Sequence, residues 1–220
     1  MLFLHVTSQV TTDPHQGLLR EKGFGGFPSL AFMDADGNVV AKQGDRSVAG
    51  FQTTLNRLAK VKELSGKTDD GSFVELTFAK VDLGSLKASE AKTQLTGKTL
   101  SKDQSAKLES LMLDEEIMTL RSSAKSREDM DAVGAKLVEM KKAGRIPTGS
   151  TVATFWQTIA SHAESKKDAP LFEEAFTALK KSWGTDERYK RAIDSMETRL
   201  KAMKDGKSQP EKQNKRLDGG

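Results

Sequence analysis

The sequence predicts an α+β chain, with a partial α/β domain at residues 1–64 followed by an all-α bundle or repeat-like array. Two patterns and a break carry this prediction. Short β-prone apolar runs flank Asp36-Gly37 in the first part. From residue 73 onward apolar residues recur at helical spacing instead. Between the two lies Ser65-Gly66-Lys67-Thr68-Asp69-Asp70-Gly71-Ser72, a small polar linker where the domain boundary is expected.

Leu2–Val6 reads as a strand. Asp13-Pro14-His15-Gln16 reads as a helix start, with Asp as cap and Pro at the first helical position. That helix is expected over His15–Lys22, with Leu18 and Leu19 facing inward and Gly23 ending it. Pro28 restricts Phe27 to extended geometry, and at the head of a strand its missing amide hydrogen breaks no ladder. Ser29–Asp34 is too short for a stable helix and suits a buried strand. Asp36-Gly37 is a hairpin signal, because both residues tolerate positive φ, and Asn38–Gln43 returns as the antiparallel neighbour. Ser47 caps a helix running to Leu64, with Phe51, Leu55, Leu58 and Val61 or Lys62 as the stripe toward the sheet.

Phe73–Leu83 alternates like a strand but also fits a helical stripe, and helix is favoured because Gly84 closes it. Leu86–Leu95 carries Ala88, Ala91 and Leu95 on one side. Ser101-x-x-Gln104 opens a long helix to about Leu120. It has two apolar stripes, Leu108/Leu111/Met112/Met118 and Leu113/Ile117/Leu120, which predict burial on more than one side. Ser126 caps the next helix, which Gly144 and Pro147 terminate. Phe155, Trp156, Phe172, Phe176 and Trp183 sit at core spacing on the following two helices, and Tyr189 to Met203 forms the last. The helical region is expected to span 73–205, with a disordered Lys/Gln/Gly-rich tail at 206–220.

The run Phe27-Pro28-Ser29-Leu30-Ala31-Phe32, followed by Asp34-x-Asp36-Gly37, resembles the C-terminal half of the thioredoxin fold. The resemblance covers roughly residues 2–63. In that family a cis-proline opens a strand, an acidic-Gly turn follows, and a second strand leads into a closing helix. The resemblance implies that Gly26, Phe27 and Pro28 form the corner that offers its backbone to an extended peptide or partner. The family's thiol-disulfide exchange also needs a Cys-x-x-Cys pair upstream, and this chain has no cysteine. Only 27 residues precede Pro28, so the chain is expected to begin inside the domain.

Composition narrows the function classes. Charged residues make up 30% of the chain and hydrophobic residues 36%, which suits much solvated helical surface. The 35 basic and 31 acidic residues are interleaved, so the net charge of +4 does not indicate nucleic acid. No apolar run reaches the roughly 18–20 residues of a membrane span, and Met1–Val6 is too short for a signal-peptide core. The compartment stays open. His5, His15 and His162 are too scattered for a metal motif, and no cofactor is expected. Asp114-Glu115-Glu116 and Glu173-Glu174 read as solvated faces. Asp34, Asp36 and Asp45 are the remaining cation candidates, with Asp36 already serving the turn.

The function these observations suggest is a redox-inactive, non-catalytic protein-interaction module. The alternatives are a fragment of a thiol-disulfide oxidoreductase whose cysteine-bearing start is missing, and a helical scaffold. The expected partner is a protein or peptide, and self-association through an unpaired sheet edge is also expected.

Overall fold

The computed structural model describes residues 16–26 and 28–206. The described part is mostly helical, with one two-stranded antiparallel sheet, an α+β architecture in coarse terms. The chain divides into two compact units at Ser101/Lys102. The expected strand Leu2–Val6, the cap at Asp13-Pro14 and the tail from residue 207 lie outside the described residues.

In the first unit, α1 (Leu18–Glu21) is a single turn, and the Phe24 amide returns to the Leu19 carbonyl at 2.8 Å. β1 (Leu30–Met33) pairs with β2 (Val39–Gln43), with Leu30 opposite Gln43 and Phe32 opposite Ala41. The register slips between Phe32 and Met33. The Asp34 carboxylate organises the turn, accepting from the Asp36 amide at 3.0 Å, the Asn38 amide at 2.8 Å and the Asn38 side chain at 3.0 Å. These donors, the Asn38 side chain foremost, hold the Asp34 carboxyl below its ordinary pKa. Gly37 alone takes a left-handed position, at φ +78°, and Asp36 does not, so the turn differs from the two-residue form in which both are positive.

α2 (Val48–Leu64) starts at Ser47, whose hydroxyl accepts the Gly50 amide at 3.0 Å. Its inward stripe is Phe51, Thr54, Leu58, Val61 and Leu64, with the Phe32 and Phe51 rings edge to face at 6.0 Å. Leu55 was expected in this stripe but is 46% exposed. Thr54 takes the place because β2 presents a polar partner: its hydroxyl donates to Gln43 Oε1 at 2.6 Å, and Gln43 is a buried amide that needs one.

α3 (Asp70–Leu83) begins within the polar stretch expected as linker, with Asp69 accepting the Ser72 amide at 2.9 Å. It ends at Gly84 in the left-handed conformation, as the helix reading required. Lys60–Glu75 at 3.1 Å and Arg57 to the Asp82 carbonyl at 2.9 Å set α3 antiparallel on α2. Ala88 and Ala91 on α4 (Ala88–Gln94) and Leu95 just past its end are buried, as are Val74 and Phe78 on α3 and Leu64 on α2.

The second unit holds α5 (Lys102–Ser123), α6 (Arg127–Lys142), α7 (Val152–Lys166), α8 (Ala169–Trp183) and α9 (Lys190–Lys204). A reciprocal capping box starts α6: Ser126 Oγ accepts the Asp129 amide, and Asp129 accepts the Ser126 amide, both at 3.0 Å. One continuous core runs from Ile117 on α5 through Leu137, Phe155, Ile159, Phe172 and Leu179 to Met196 on α9. The five aromatics expected inside are there, none more than 7% exposed. On α5, Leu113, Ile117 and Leu120 meet this core with Ile117 fully buried, while Leu108, Leu111 and Met112 of the other stripe are half-buried and Met118 is 52% exposed.

α7 stops at Lys167, which adopts φ 57°, ψ 30° and is the one non-glycine at positive φ among the described residues. Its amide reaches the Glu164 carbonyl at 3.1 Å, and the Asp168 amide reaches Ala163 at 2.8 Å. A side chain in this region costs roughly 1 kcal/mol relative to glycine. Lys167→Gly is therefore expected to raise the stability of the second unit by about 0.5–1 kcal/mol, read as a higher denaturation midpoint. A lower midpoint would show that this cap is not strained.

Candidate functional site

The sequence points first to Gly26, Phe27 and Pro28. Phe27 lies outside the described residues. Gly26 and Pro28 are exposed, immediately before β1. Two cations from later in the chain hold this segment. Lys42 on β2 donates to the Gly23 carbonyl at 2.6 Å and stands 4.9 Å from the centre of the Phe24 ring. Arg46, in the turn after β2, donates to the Pro28 carbonyl at 3.1 Å. The Ser29 hydroxyl also donates to the Gly26 carbonyl. The Gly23 and Pro28 carbonyls thus each accept from a later cation, and a Cβ placed at Gly25 or Gly26 would meet no atom within 4 Å.

The other sequence candidates have structural roles. Asp34 is engaged within its turn, and Asp45 accepts the Ser47 amide at 2.9 Å ahead of α2. Among the described residues no three His, Asp or Glu side chains gather to hold a metal ion. His5 and His15 lie outside the described residues.

The carboxylates expected as solvated faces are exposed or half-exposed, and several also pair with groups from other elements. Asp114 on α5 accepts from the Ser150 amide and hydroxyl, both at 3.0 Å, and from the Thr151 hydroxyl at the start of α7. It anchors Ser150 and Thr151, 36 and 37 residues away in sequence, just before α7, where the helix dipole favours an anion. Glu116 pairs with Arg145, Glu174 with Lys141, and Glu173 with Lys204 at 2.7 Å.

One polar cluster, missed at the level of sequence, joins α6 to α7. His162 Nδ1 lies 2.8 Å from Asp131 Oδ1, and the Ser165 hydroxyl donates to the same oxygen. Lys166 lies 2.8 Å from Asp131 Oδ2. Gly134 permits this approach: a Cβ there would sit 2.4 Å from His162 Cβ. Serine, histidine and aspartate meet here, but in an order that does not activate the serine. A nucleophilic triad needs the imidazole between hydroxyl and carboxylate. Here the carboxylate is in the middle, and Ser165 also donates to the His162 carbonyl at 2.8 Å. The cluster is a seam between helices.

Its electrostatics give a pH prediction. Lys166 first, then Ser165 and His162, hold the Asp131 carboxyl far below its ordinary range. A carboxyl depressed by folding adds stability above its unfolded pKa of roughly 4, and that stability is lost as pH falls toward the folded value. Asp131→Ala is expected to cost about 1–2 kcal/mol at neutral pH and to shrink the loss of stability below about pH 4. Urea melts across pH 2–7 check this. An unchanged acid limb in the variant would remove Asp131 from the acid response.

A further concavity lies between α8 and α9, an open groove of about 430 Å³. Phe176 and Leu200 line it, and Lys180–Glu197 at 2.9 Å and Lys204–Glu173 pair between the two helices beside it. No helix among the described residues is long and apolar enough to cross a membrane. Comparison with protein-family models, curated proteins and solved structures finds no match for this chain.

Proposed function

We propose that this chain acts through protein contact: a thioredoxin-related unit without redox cysteines presents its Gly26–Phe27–Pro28 corner to an extended segment of a partner. The observation that carries this reading is the double clamp. Lys42 and Arg46 hold the backbone on either side of two exposed, unobstructed glycines. Contacts that restrain Gly23 and Pro28 before binding reduce the entropy lost on association, and an extended peptide binds through main-chain groups. The lack of any cysteine removes thiol-disulfide exchange from the chain's own chemistry. A second reading, a helical scaffold, is favoured by the groove between α8 and α9.

Photo-crosslinking from two positions separates the readings. A photoreactive residue replaces Gly26 in one variant and the exposed Thr177 of the groove in another, each in the cells that make the protein. The corner reading expects a protein adduct from position 26 that Arg46→Ala reduces several-fold. Adducts from position 177 alone would move the function to the helical unit. A position-26 adduct to a second copy of the chain would replace the partner with self-association. No adduct from either position would overturn both readings.

A further inference from the structure

We draw no further inference here: the strongest candidate, the groove between α8 and α9 lined by Phe176 and Leu200, carries nothing further, because the ion pairs Lys180–Glu197 and Lys204–Glu173 balance its charge and nothing in the structure shows what covers it.

Discussion

Phe172→Ala is expected to destabilise the second unit by about 3–5 kcal/mol, the range for removing a fully buried aromatic ring. Phe172 is 0% exposed, at the centre of the core that joins α5 through α9. Its ring also faces the Arg199 guanidinium, 5.7 Å from the ring centre, so truncation removes a cation–π contact as well as apolar burial. With two compact units, whole-chain unfolding need not be one transition. The chain supplies a selective probe, because its two tryptophans, Trp156 and Trp183, both lie in the second unit's core. Tryptophan fluorescence in urea should therefore show a midpoint lowered by the full amount. Phe172→Leu, which keeps most of the volume, should lose much less. Equal losses for the two variants would mean that the cavity is not the cause.

Gly134→Ala is expected to cost about 1–3 kcal/mol although alanine is the better helix former by roughly 1 kcal/mol. The added methyl would lie 2.4 Å from His162 Cβ and 3.0 Å from its Cγ. His162 Cβ is bonded to the backbone of α7, so no rotamer change relieves the overlap and the helices must separate. Separation also stretches the 2.8 Å contact between His162 and Asp131. A double-mutant cycle with His162→Gly isolates the overlap, since that change removes the opposing Cβ. The double variant should be more stable than the sum of the single losses predicts, by about 1 kcal/mol or more. Simple additivity would show that the helices part without strain.

Much of the local structure was legible in the chain. The Asp36-Gly37 turn, the Ser47 and Ser126 caps and the stop at Gly84 are each decided within about four residues, where side chain and backbone meet whatever surrounds them. The stripes of α7 and α8 were legible because both helices are buried along one broad face, so period alone identifies Phe155, Ile159, Phe172 and Leu179. α2 was less legible, because choosing Thr54 over Leu55 depends on Gln43 of β2.

For the candidate corner, sequence determined the residue types at Gly26 and Pro28 and the strand that follows them. Only tertiary structure decided that Lys42 and Arg46, 19 and 18 residues downstream of the carbonyls they hold, would clamp it. The same division holds in the second unit. Asp114, Asp131 and His162 look like ordinary surface residues of amphipathic helices until α5, α6 and α7 are laid together. The physical reason is range: capping and turn chemistry act between near neighbours in the chain, whereas a carboxylate's distant partner is set by the packing of apolar faces, and the polar groups beside each seam then pair with whatever that packing brings within about 3 Å.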